Sequence, residues 1–174
     1  MGIKVLLLLP AILSLSLSML LSIPLSQAAT IGIAATLLPA CEAGTTTSGN
    51  TSFGTMNFGN YASLSSLINK ASAQLAGSIR VKCVSGLSYK ILLDGGSSGV
   101  VTNRKMVNTT NSAISVLYNL YTNQPGGTIW DNTTGLSDTG NGADQWHTLY
   151  GRVPAQTTPA AGVYLDTVNV TVSW

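Results

Sequence analysis

Val168-Asn169-Val170-Thr171-Val172-Ser173-Trp174 alternates apolar and polar residues without a break. Successive side chains of a β-strand point to opposite faces. Val168, Val170, Val172 and Trp174 therefore share one face, and Asn169, Thr171 and Ser173 the other. The sequence stops inside this strand, where a domain ordinarily finishes in a few loose polar residues.

The same period recurs upstream. In Ser78-Ile79-Arg80-Val81-Lys82-Cys83-Val84, the apolar face is Ile79, Val81 and Cys83, with Arg80 and Lys82 opposite, the pattern of a half-buried strand. Tyr89, Ile91 and Leu93 continue it until Asp94-Gly95-Gly96 supplies turn chemistry. Ile114, Val116, Tyr118 and Leu120 alternate in a third run, stopped by Asn123-Gln124-Pro125-Gly126-Gly127. A further strand is expected over residues 146–153, ending at Pro154. In residues 62–75, Leu64, Leu67 and Ile68 have helical spacing, while the serine content suits a loop. Residues 131–144 are mostly Gly, Thr, Asn and Asp and read as a surface loop. Short strands separated by turn signals predict an all-β antiparallel sandwich.

The N-terminal end reads differently. Lys4 precedes an apolar run from Val5 to Ile23, and Ser26-Gln27-Ala28 places small residues before a cut after Ala28. This is the pattern of a secretory signal peptide over residues 1–28. A signal anchor is the rival reading, because the run is near the length that spans a bilayer. Removing Lys4 from the eight Lys and Arg leaves seven against six Asp and Glu, a net charge of +1. That balance predicts neither a nucleic-acid partner nor a charged tail. Only 8% of residues are charged, which opposes a helical bundle rich in Glu and Lys.

Cys41 and Cys83 are the only cysteines, and export carries both to an oxidising compartment, so one disulfide is expected. Two cysteines and the lone His147 are too few ligands for a zinc site, and no metal or other cofactor is expected. An enzyme is not expected either. His147 is flanked by Trp146 and Thr148 in a strand pattern, and Glu42, Asp94, Asp131, Asp138, Asp144 and Asp166 are scattered, mostly beside Gly or Asn, as turn residues are. Asn50, Asn108, Asn132 and Asn169 each open an Asn-x-Ser/Thr pattern, which arises by chance in a Thr-rich β protein.

Between the signal peptide and Cys41 lies an apolar face of Ile31, Ile33, Ala35 and Leu37, with Thr30, Gly32, Ala34 and Thr36 on the other side. Such a segment suits donation of a strand to a sheet edge, with alternate side chains entering pockets. It reads equally as the first strand of its own sheet.

Phe53-Gly54-Thr55-Met56-Asn57-Phe58-Gly59, Leu93-Asp94-Gly95-Gly96, Val116-Leu117-Tyr118-Asn119-Leu120-Tyr121 and Gly162-Val163-Tyr164-Leu165-Asp166-Thr167-Val168-Asn169-Val170-Thr171-Val172, in this order, resemble the spore-coat-protein-U-like family, which includes subunits of archaic chaperone–usher pili. The resemblance implies an incomplete immunoglobulin-like β-sandwich lacking its last strand, over residues 39–174, completed by donor-strand complementation. It implies a donor strand in residues 29–38 carrying Ile31, Ile33, Ala35 and Leu37, and an acceptor groove walled by Val168, Val170, Val172 and Trp174. The implied partners are a periplasmic chaperone, an outer-membrane usher and neighbouring pilus subunits, with no membrane insertion after signal removal. The implied place is the cell surface, in a pilus that supports adhesion and biofilm formation. One feature departs from this pattern: donation and the first strand must share the short segment before Cys41. The rival readings are a spore-coat or envelope structural protein of the same family, and a tip-proximal adhesive subunit using Trp130, Trp146 or the loop of residues 131–144.

Overall fold

A computed structural model describes residues 34–35, 40–47 and 50–174. The chain divides into a unit Met1–Thr36 and a unit Leu37–Trp174, and every described strand lies in the second. The expected signal peptide lies outside the described residues, as do Ile31, Ile33 and Leu37, and Ala34 and Ala35 have no regular secondary structure.

The strands are β1 (Cys41–Ala43), β2 (Thr45–Thr47), β3 (Asn50–Ser52), β4 (Ile68–Ala71), β5 (Ile79–Cys83), β6 (Ser88–Leu93), β7 (Arg104–Asn108), β8 (Ser115–Tyr121), β9 (Leu136–Thr139), β10 (Gln145–His147), β11 (Tyr150–Val153), β12 (Tyr164–Leu165) and β13 (Val170–Ser173). One three-stranded sheet runs β1-β5-β10, another β13-β6-β9, and a five-stranded sheet runs β12-β7-β8-β11-β4. β2 and β3 form a separate hairpin. Every pairing between these strands is antiparallel. The fold is all-β and immunoglobulin-like. The only helical turn among the described residues is a 3-10 turn at Gly96–Ser98.

Alternation builds the core. Ile79, Val81 and Cys83 of β5, Tyr89, Ile91 and Leu93 of β6, and Val116, Tyr118 and Leu120 of β8 are all buried in one cluster. Each large aliphatic side chain so buried contributes about 1.5–3 kcal/mol. Cys41 and Cys83 form the expected disulfide, joining residues directly opposite each other on β1 and β5.

Three expectations need correction. Residues 146–153 are not one strand: β10 pairs with β5, β11 with β8 and β4, and buried Leu149 sits at the step between them. Residues 62–75 form no helix, because pairing of β4 with β11 places Ile68 opposite Val153, both buried, and overrides the helical spacing. Residues 131–144 are not all loop, since β9 pairs with β6 from Leu136 to Thr139.

Candidate functional site

β1 ends one three-stranded sheet and β13 ends another, and neither pairs with a second described strand. Their outer N–H and C=O groups therefore lack ladder partners among the described residues. Between them opens a groove of 680 Å³. Cys41 and Ala43 line it from β1, and Val168, Val170, Val172 and Trp174 from the β13 side. Core residues Ile79, Leu93, Tyr118, Leu120 and Leu149 also line it, as do Phe53, Met56 and Phe58.

β13 forms here because its alternate valines pack on the core while Thr171 and Ser173 stay exposed. Its register sets Val170 opposite Leu93 and Val172 opposite Ile91, so half-buried valines extend two fully buried positions of β6 toward the groove. Trp174 is 60% exposed, a large apolar side chain at the groove with room to be covered. At about 3.3 Å per residue the regular part of this edge, Val170–Ser173, is about 10 Å long.

Of the residues read from sequence, Val168, Val170, Val172 and Trp174 come together, with Cys41 across the groove from them. Ile31, Ile33 and Leu37 lie outside the described residues, and Ala35 is described without strand structure. Trp130, offered for surface adhesion, has no exposed area: its indole Nε1 donates to the Ile91 carbonyl at 2.8 Å within the core. Trp146 is half-buried.

His147 sits half-buried on β10. Its Nε2 lies 2.8 Å from the Tyr89 hydroxyl, and burial pushes its pKa below the ordinary value against the opposing pull of Asp138. Asp131 is a turn residue, accepting from the N–H groups of Thr133, Thr134 and Gly135. Asp144 instead accepts from Arg80 at 2.7 Å. Among the described residues no cluster of three His, Cys, Asp or Glu could hold a metal.

Sequence reasoning missed Arg104. It is fully buried, and its guanidinium donates to the carbonyls of Asp94, Leu93 and Trp130 and to Asn119 Oδ1. Burial lowers its pKa from the ordinary value, and Tyr118, Asp94, Asp166 and Asp131 oppose that shift. No local signal marks it, because its acceptors are scattered from residue 93 to residue 130.

Comparison with known proteins bears on the groove. The family model described as the Spore Coat Protein U domain matches residues 27–171. No curated protein matches the sequence. Among solved structures, a chain of a chaperone–usher pilus, in a study of rod uncoiling, superposes with a TM-score of 0.51 at 12% identity, covering 88% of this chain and 98% of that one. A chain of the CsuC–CsuE chaperone–tip adhesion subunit pre-assembly complex, from archaic chaperone–usher Csu pili of Acinetobacter baumannii, superposes with a TM-score of 0.50 at 18% identity. That match covers 80% of this chain but only 41% of the other. At these identities both are likenesses of fold. The family match spans most of the chain, and the protein belongs to the Spore Coat Protein U domain family.

Proposed function

We propose that this protein is a structural subunit of an archaic chaperone–usher pilus that polymerises by donor-strand exchange. The observation that carries the reading is the groove between two sheet edges, β1 and β13, whose outer sides have no strand partner among the described residues. An extended strand laid there would pair with a free edge while alternate side chains cover the groove floor. A strand from a periplasmic chaperone would fill the groove first, and at the outer-membrane usher residues 29–38 of a neighbouring subunit would replace it.

Extended at about 3.3 Å per residue, residues 31–37 would reach about 20 Å, long enough to cover β13 and reach the irregular edge that precedes it. Burying the larger donor side chains, at about 1.5–3 kcal/mol each, favours the filled groove. β1 begins at Cys41, after the proposed donor segment. Export to the cell surface and a part in adhesion and biofilm formation follow from the same assignment.

Deleting residues 29–38 from the mature chain tests it. The deleted subunit should copurify with its chaperone and fold, yet fail to enter fibres seen by electron microscopy. Normal polymerisation of that deletion would refute donation by this segment.

A further inference from the structure

The edge that walls the groove is built in two pieces. β12 pairs with β7, Leu165 opposite Val107, whereas β13 pairs with β6 from Val170 opposite Leu93. Residues 166–169 between them belong to neither strand, yet Asp166, Thr167, Val168 and Asn169 all line the groove. They are held by a reciprocal exchange with the turn that follows β6. Asp94 Oδ1 accepts from the Asn169 N–H at 2.9 Å, and Asp94 Oδ2 from Asn169 Nδ2 at 2.6 Å. In return Asp166 Oδ1 accepts from the Ser97 N–H at 2.7 Å and from the Ser97 hydroxyl. Asp166 Oδ2 accepts from the buried Tyr118 hydroxyl at 2.6 Å.

The turn is shaped for this exchange. Gly96 has φ +58°, and a Cβ there would lie 2.2 Å from Asp166 Oδ2. Burial raises the Asp94 carboxyl, but hydrogen bonds from Gly96 and Asn169, with the Arg104 charge, hold it below the ordinary carboxylate value. Asp94-Gly95-Gly96-Ser97 and Asp166-Thr167-Val168-Asn169, far apart in sequence, are thus the two halves of one clasp.

An entering strand faces a register problem. Side chains alternate with period two, so a slip by two residues keeps every apolar side chain facing the groove. Ile31, Ile33, Ala35 and Leu37 fit several such registers, and alternation alone cannot choose among them. A regular ladder is offered only along Val170–Ser173. At residues 166–169 the edge passes from the β6 ladder to the β7 ladder and turns polar.

We infer that the clasp of Asp94, Ser97, Asp166 and Asn169 is a register stop for the incoming strand, with Asp166 and Asn169 as positioning residues. This rests on the strand-acceptor reading above and adds to it which residues set the alignment.

The test uses the mature full-length chain, refolded with an excess of a peptide of residues 29–38 carrying a benzophenone side chain in place of Ile33. Photo-crosslinks are mapped by mass spectrometry, and strand content is followed by circular dichroism. In the wild type the crosslinks should fall at one place along the groove wall. In Asn169→Ala and Asp166→Asn they should spread to positions displaced by one strand repeat of two residues, with peptide uptake retained. Asn169 is exposed, so its truncation leaves the fold intact and decides the matter even where Asp166→Asn does not fold. A single unchanged crosslink site in folded Asn169→Ala overturns the register stop while leaving strand uptake standing. No uptake by folded wild-type chain overturns the strand-acceptor reading itself, and the register stop with it.

Discussion

Two pairs of sheet edges in this molecule are built from the same two three-stranded sheets and treated in opposite ways. β1 and β13, at one end of each sheet, flank the open groove. β9 and β10, at the other ends, are tied to each other by side chains. Gln145 Nε2 of β10 donates to the Thr139 carbonyl of β9 at 3.0 Å and to Asp138 Oδ2 at 3.3 Å. His147 of β10 meets Tyr89 of β6 through the hydrogen bond at 2.8 Å and an edge-to-face ring contact at 5.8 Å.

Polar ties of this kind contribute only about 0.5–1.5 kcal/mol each, but they need nothing from outside. The open side holds valine, tryptophan and a disulfide instead. Covering that apolar surface is worth more than making a few hydrogen bonds, and only an added strand can cover it. The closed side is tied by side chains within the subunit, whereas under the proposed strand exchange the open side keeps its apolar surface for an added strand.

The sharpest way to break the comparison is to place the same charge on each side. Val172→Asp sets a carboxylate in the groove wall, where an incoming strand would bury it without a partner. At a cost of about 3 kcal/mol or more, uptake of the 29–38 peptide should weaken by about 100-fold or more, and chaperone-bound soluble protein should be lost. Ser137→Asp puts the charge on β9, at an exposed position opposite Lys90, and should leave uptake unchanged. Equal losses in titrations of the two variants would mean that both sides contribute alike to binding.

The second test concerns what holds the open side apart. β1 pairs with β5 over only Cys41–Ala43, and the disulfide staples the first of those pairs. The bridged cysteines are 42 residues apart, and in the chain-entropy model such a loop contributes about 4 kcal/mol. The double variant Cys41→Ala, Cys83→Ala should lower the unfolding free energy of the peptide-filled subunit by up to about that amount, read from urea titration. Amide exchange should rise in β1 and stay slow in β10. Equal exchange in both strands would show that the disulfide supports the whole sandwich rather than the groove wall.

Much of this contrast was legible in the sequence, and unevenly so. Ile79, Val81 and Cys83 alternate visibly because one face of β5 is buried and the other is not. The valines of β13 are legible for the same reason. β9 was not, because Leu136-Ser137-Asp138-Thr139 is an edge strand with little buried on either face, so no alternation was imposed on it. The break between β10 and β11 was hidden because a strand can change partners without losing its period. Arg104 sits beside Lys105 and Met106 and looks like surface. Its burial depends on carbonyls at residues 93, 94 and 130, which only the fold brings together. The clasp joins Asp94 to Asn169 across 75 residues, and neither motif names the other.

The smallest expected effect belongs to the closed side and depends on pH. His147 is the single histidine, and burial, outweighing the nearby Asp138, depresses its pKa below the ordinary value. Tyr89, its hydrogen-bond partner, is pushed up to about 12 by burial and then by Asp138, so the hydroxyl keeps its proton throughout. Asp138 is the charged group facing this pair from β9, with Oδ2 3.9 Å from His147 Nε2, and on β5 the residue paired with His147 is the apolar Ile79. The unfolded histidine titrates near 6.5. Below that value the unfolded chain binds a proton that the folded chain resists. The stabilisation is therefore fully present above about pH 6.5 and is lost as pH falls through the lower folded value. Asp94, Asp131 and Asp144 are held below their ordinary value and add a separate loss only in stronger acid, below about pH 4. Urea midpoints of the peptide-filled subunit should accordingly fall between about pH 7 and about pH 5. His147→Gln should flatten that window and leave the acid loss intact. Peptide uptake should not change across it, because no histidine lines the groove. A wild-type midpoint that is flat in this window would show that the closed side carries no buried neutral imidazole, and an uptake that tracks it would show that the two sides are coupled.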